Sequence, residues 1–171
     1  MKTISRALAL AAVLLVAACQ HPPQPEPPVR NPQGGTDDCG LFFDNSNLLG
    51  VANGAVAPRF VLKPEDPSLL CGLQTYHWNN AQGMAPGTIG LRNLTTGKVY
   101  GPFQATGLPG QGGAPNVNWK VSLSPRIELK PGTYEVIDSH PATWSWNNQS
   151  IDKDTPPKAS GFAWVWLAPA A

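Results

Sequence analysis

From residue 37 onward the apolar residues fall in short runs bounded by Gly, Pro, Asn or Asp, and no stretch carries a helical apolar stripe. Runs this short predict strands at 41–43, 48–51, 59–62, 70–78, 88–93, 98–103, 117–123, 126–129, 133–138 and 161–167. Asn93-Leu94-Thr95-Thr96-Gly97 reads as a hairpin loop, and Lys130-Pro131-Gly132 as a tight turn in which Pro fixes φ and Gly takes the positive value. Residues 107–115, rich in Gly and Pro, read as a long surface loop, the kind of segment where binding residues concentrate. About eight to ten short strands predict an all-β fold, an antiparallel β-sandwich or jelly roll in a single domain over 37–171. Those 135 residues suffice for a sizeable core.

The first residues are patterned differently. Lys2 and Arg6 precede an uncharged apolar run, 7–18, of 12 residues. A spanning helix needs about 20 residues, so the run matches a secretory h-region. It ends in Val16-Ala17-Ala18-Cys19, which resembles a lipobox with Val at its first position. That resemblance implies a signal peptide over 1–18, cleavage before Cys19, and diacylglycerol on the Cys19 thiol with acylation of the new amino group. Gln20 rather than Asp follows the cysteine, which by the same resemblance favours the outer membrane. Six of the eleven residues from Pro22 to Pro32 are proline, and Gly34-Gly35 follow. Residues 19–36 therefore read as a lipidated Cys and a tether, extended over up to roughly 50 Å in polyproline II.

With Cys19 assigned to lipid, Cys39 and Cys71 remain, and an oxidising compartment would join them. Beyond residue 18 the chain carries 10 Lys and Arg against 11 Asp and Glu without basic clusters. That balance argues against nucleic acid as partner and against electrostatic membrane binding beyond the lipid. No cofactor or metal motif is present, and the expected membrane partner acts through the anchor.

Tryptophan is the most prominent candidate chemistry. Six lie in the domain: Trp78, Trp119, Trp144, Trp146, Trp164 and Trp166. The i, i+2 pairs Trp144/Trp146 and Trp164/Trp166 each share one face if they lie on strands. Each pair either fills the core or builds an aromatic wall on which a sugar ring could stack. His77-Trp78-Asn79-Asn80 and Ser145-Trp146-Asn147-Asn148 repeat a Trp-Asn-Asn pattern, read as turn structure or as ligand-contacting loops. The candidate ligand-binding set is Trp78, Asn79, Asn80, Trp144, Trp146 and Asn147. Catalytic signals are thin: Asp138-Ser139-His140 holds the residue types of a triad, but neighbours on a strand point to opposite faces. His77, His140 and Asp138 are a weak metal set, Asp138, Asp152 and Asp154 a weak calcium set. Glu65, Asp66, Glu128, Glu135 and Asp138 offer no spacing that singles out a glycosidase pair.

Five segments carry a wider resemblance: Thr75-Tyr76-His77-Trp78-Asn79-Asn80, Pro86-Gly87-Thr88-Ile89-Gly90-Leu91, Gly110-Gln111-Gly112-Gly113-Ala114-Pro115-Asn116, Pro131-Gly132-Thr133-Tyr134-Glu135-Val136-Ile137-Asp138-Ser139, and Pro141-Ala142-Thr143-Trp144-Ser145. From Phe60 to about Leu167 the chain resembles a β-rich domain of uncharacterised secreted or surface bacterial proteins. In that pattern Asp stands where this chain has His140, which implies ligand-binding or structural loops rather than a role unique to His140. The expectation is a non-catalytic, lipid-anchored β-sandwich that binds a glycan or envelope polysaccharide. The alternatives are a structural or protein-interaction lipoprotein, using loop 107–115 or a sheet edge, and a hydrolase.

Overall fold

Alternation of buried and exposed side chains organises twelve strands among the described residues: β1 (Gly40–Asp44), β2 (Ala52–Asn53), β3 (Arg59–Leu62), β4 (Leu69–Tyr76), β5 (Thr88–Asn93), β6 (Val99–Gln104), β7 (Thr106–Leu108), β8 (Asn118–Glu128), β9 (Gly132–Asp138), β10 (Ser145–Ile151), β11 (Ala159–Gly161) and β12 (Ala163–Ala168). The computed structural model describes residues 38–153 and 156–170, within a unit running from Thr36 to the C-terminus. The expected signal peptide over 1–18, lipidated Cys19 and tether to residue 36 lie outside the described residues. The strands form antiparallel sheets ordered β1-β12-β4-β8-β7, β3-β9-β5-β6 and β11-β10-β2. The all-β antiparallel fold is as the sequence predicts.

The two larger sheets pack face to face. Phe43 on β1 stacks on Phe60 of β3 with centroids 5.4 Å apart, and Phe60 stacks on Tyr134 of β9 at 5.5 Å. Leu70, Leu73, Val121, Val165 and Leu167 from one sheet meet Leu62, Ile89, Leu91 and Val136 from the other, all buried. Fully burying such a side chain contributes about 1.5–3 kcal/mol, so this layer holds the fold. Cys39 and Cys71 form the expected disulfide. It closes a loop with a sequence separation of 32, which stabilises the folded state by about 3–4 kcal/mol in the chain-entropy model.

Three local expectations are corrected. Residues 48–51 are loop, because the Asn47 side chain accepts a hydrogen bond from Leu49 N at 3.0 Å and turns the chain. Ser145–Ile151 is a strand despite its polar sequence, since its backbone pairs with β2 on one side and β11 on the other. The segments 117–123 and 126–129 join into one long strand, β8, and the first residues of the predicted loop 107–115 pair with it as part of β7.

Tyr134 reports on the core. Its hydroxyl donates to Lys130 O at 2.7 Å and accepts from Lys130 N at 3.1 Å. Burial pushes its pKa from 10.0 up to about 12. The folded state therefore holds the neutral phenol more tightly than the unfolded chain does. The resulting stability is intact below about pH 10 and is lost as the pH rises towards 12, because only the unfolded chain ionises in that window. Urea midpoints measured from pH 9 upward should fall more steeply in the wild type than in Tyr134→Phe; parallel curves would refute this account.

Candidate functional site

The C-terminal end of β4 and the end of β9 carry polar side chains into the space between the sheets. His77 Nε2 lies 3.1 Å from Asp138 Oδ2 and 3.2 Å from Thr75 Oγ1, and Thr75 donates to the same carboxylate oxygen at 2.7 Å. A carboxylate only accepts, and the Thr75 hydroxyl spends its hydrogen on it, so Nε2 carries the proton. On the other ring edge Thr143 Oγ1 stands 3.0 Å from Nδ1 and 3.2 Å from His140 O. Its single hydrogen serves Nδ1 when the imidazole is neutral and His140 O when Nδ1 is protonated, so every atom keeps a partner in both states. Asp138 Oδ1 accepts from His140 N at 2.7 Å, and Trp119 stacks on His77 at 3.8 Å between centroids.

This cluster is a structural knot. Both side chains of the pair are 0% exposed, so no substrate reaches them. Asp138 meets His140 only through its backbone N–H, while Ser139 Oγ sits 2.9 Å from His140 Nδ1 and accepts from Thr88 N. The triad order acid–His–Ser is not assembled. Four other candidate carboxylates are committed separately: Glu135 pairs with Arg59 at 3.1 Å, Glu128 with Lys130, Asp66 accepts from Lys63 N, and Asp152 accepts from Lys158 N. Asp154 lies outside the described residues. The Lys130 hydrogen bond holds the Glu128 carboxyl below its ordinary range.

The two Trp-Asn-Asn motifs fold differently but meet. After Trp78 three successive residues, Asn79, Asn80 and Ala81, take left-handed φ of 44°, 55° and 64°. Asn tolerates this region and Ala does not, at about 1–2 kcal/mol. The turn is held by Asn79 Nδ2 donating to Gly83 O at 2.9 Å and by Gly83 N donating to Trp78 O at 3.3 Å. Asn80 is exposed at its tip. Asn53 on β2 links the motifs: its Nδ2 reaches Asn79 Oδ1 at 3.5 Å and its carbonyl accepts from Trp146 Nε1 at 3.2 Å. Asn147 and Asn47 exchange reciprocal amide hydrogen bonds at 2.8 and 3.0 Å. Asn79 and Asn147 thus brace loops.

The tryptophans sort by burial. Trp144, expected as a platform, is 1% exposed. Its indole lies over Gly161, where a Cβ would come within 2.4 Å of the ring, and its Nε1 donates to Phe162 O at 2.9 Å. A buried indole offers no face to a ligand, so Trp144 leaves the candidate set. Trp119 is buried too, while Trp146 is half-buried. Trp164 and Trp166 are the reverse of a core pair. On β12 the inward positions are Ala163, Val165 and Leu167, and both indoles stand on the outer face of the five-stranded sheet.

That outer face is the candidate site. Across it, Trp164 pairs with Gln74 and Gln74 with Lys120, while Trp166 pairs with Gly72 and Gly72 with Ser122. Gly72 keeps the floor bare beside Trp166, since a Cβ there would stand 2.6 Å from Val121 O. At one end Tyr76, Trp78, Phe162 and Trp164, with Leu48 and Leu49 of the 45–51 loop, line a cleft of about 580 Å³, within the usual range for small-ligand sites. Burial raises the Tyr76 pKa, so its hydroxyl stays a donor. At the other end a groove of about 880 Å³ is lined by Trp166, Lys120, Ser122, Arg126 and the disulfide. Neither space is lined by two carboxylates. Of the sequence-derived set only Trp78 lines the cleft. The reading missed Tyr76, Phe162, Gln74 and Lys120; the alternation of Gln74 and Tyr76 with buried Leu73 and Thr75 is the signal that locates the face.

No protein-family model, curated protein or solved structure matches this chain.

Asp138→Ala leaves the buried His77 Nε2–H and Thr75 hydroxyl without their acceptor, at about 1–3 kcal/mol for each unsatisfied group, so it should lower the unfolding free energy by about 2–6 kcal/mol in urea titration. A loss under about 1 kcal/mol would show that the knot is dispensable. Trp144→Ala should cost about 3–5 kcal/mol as a cavity, whereas Trp164→Ala should leave the melting curve nearly unchanged; equal losses would contradict the sorting of the indoles.

Proposed function

We propose that this is an exported, lipid-anchored protein that binds a glycan, without catalysis, on the outer face of its five-stranded sheet. The observation that carries the reading is the outward pair Trp164/Trp166. Successive same-face positions on a strand stand about 6.5–7 Å apart, so the two indoles offer neighbouring flat platforms, and Tyr76 and Trp78 extend the aromatic surface into the cleft. The axial C–H face of a pyranose is apolar, and covering it on an indole removes apolar surface from water. Gln74, Asn118 and Lys120 supply the edge hydrogen bonds. Gln74 Nε2 donates to Asn118 Oδ1 at 3.1 Å, and Asn118 Nδ2 donates to Pro109 O at 2.9 Å, so these amides are held in place before any ligand arrives. The glycan class is the one the sequence suggests, moved from the Trp144/Trp146 pair to the Trp164/Trp166 pair.

The lipobox-like Val16-Ala17-Ala18-Cys19 and the Pro-rich tether support attachment through Cys19, with the outer membrane as the proposed address and envelope polysaccharide as the proposed ligand pool. The resemblance to secreted and surface bacterial domains over Phe60 to about Leu167 supports the same setting.

Calorimetric titration of the full-length protein in neutral detergent with a panel of envelope and plant oligosaccharides tests the reading. Trp164→Ala and Trp166→Ala should each weaken binding by about 0.5–1.5 kcal/mol, roughly two- to tenfold, with folding intact. Binding that survives both substitutions, or no glycan binding at all, would defeat it. A protein captured in stoichiometric amount through the same face would favour an interaction role instead.

A further inference from the structure

The two ends of the outer face differ in charge. The eleven residues lining the aromatic cleft include no acid and no base. The groove at the Trp166 end is lined by two cations, Lys120 and Arg126, and one carboxylate, Asp38. The domain as a whole has the opposite balance, with 9 Lys and Arg against 10 Asp and Glu over residues 37–171. The positive lining is therefore local to the groove.

Lys120 is the informative residue. It stands in the row of Trp164 and Gln74 on β8, and its Nζ reaches towards the neighbouring row, 5.8 Å from the centre of the Trp166 ring. Gly72, between them, has no side chain to block that reach. Among the described residues Lys120 makes no ion pair, while Arg126 Nη1 holds Asp38 at 2.6 Å. Asp44, the acid in the Trp164 row across β1, has its Oδ1 occupied by Ser46 N at 2.8 Å. A sugar ring laid on Trp166 beside the Lys120 ammonium would bring an equatorial substituent to it, in a groove that Arg126 also lines. A hydroxyl there meets an ordinary donor; a carboxylate meets a charge that rests over an aromatic face and is not neutralised by an ion pair among the described residues, and charge-assisted hydrogen bonds are about twice as strong as neutral ones.

We propose that the glycan bound on this face is acidic, with the carboxylate of a uronic-acid-type sugar seated over Trp166 and met by Lys120. This rests on the glycan reading above and adds the charge of the ligand. The next ring of the same chain would continue over Trp164 towards the uncharged aromatic cleft.

The test uses the full-length protein in neutral detergent and hexasaccharides of galacturonate, mannuronate and hyaluronan, each beside its carboxyl-reduced form. At least one acidic hexasaccharide should bind about tenfold or more tightly than its reduced partner at low salt. The gap should narrow as ionic strength rises from about 50 to about 500 mM. Lys120→Gln should abolish the preference, weakening the acidic form by about the size of the gap and the reduced form by a clearly smaller factor. Trp166→Ala should weaken both forms. If acidic and reduced forms bind alike, or if Lys120→Gln keeps the preference, the acidic assignment is wrong while the glycan reading stands. If neither form of any backbone binds, both fall together.

Discussion

The pairing of His77 with Asp138 is the constraint around which this end of the molecule is arranged. One partner comes at the end of β4 in the five-stranded sheet, the other from β9 in the four-stranded sheet, and both are wholly inside. Polar groups withdrawn from water this far are tolerated only when every lone pair and proton finds a partner. Thr75, Thr143 and the His140 backbone supply those partners, and Trp119 covers the ring. The knot fixes where β4 ends, and so fixes where Tyr76 and Trp78 leave the sheet to form the cleft wall.

Legibility in the sequence followed the strength of the local signal. Turn punctuation by Gly, Pro and Asn marked most strands, because those residues dictate φ whatever surrounds them. Two regions misled. Ser145–Ile151 has no apolar run, yet it is the middle strand of its sheet, for backbone pairing asks nothing of side-chain polarity. Leu48 and Leu49 look strand-like but are exposed on a loop turned by Asn47.

The functional candidates were harder to read for a related reason. Ala163-Trp164-Val165-Trp166-Leu167 is apolar on both faces of its strand, so alternation alone does not say which face is inside. The packing decides it: the space between the sheets at these positions is filled by the smaller residues, and the indoles are left outside. Trp144 went the other way, since its indole needs the bare backbone of Gly161, a contact between residues far apart in sequence. The chemistry of the face, with Gln74 and Lys120 beside the indoles, emerges only when β12, β4 and β8 are laid side by side in register.

The disulfide has a mechanical meaning. Cys39 immediately precedes β1, an edge strand, yet its sulfur is bonded to Cys71 on β4, two strands further in. A tug on the chain upstream of Cys39 therefore loads the middle of the sheet through a covalent link. Without that link the same tug would peel β1 away one hydrogen bond at a time. With it, β4 takes the load in shear across its neighbours on both sides, and the outward aromatic face is built on those same three strands.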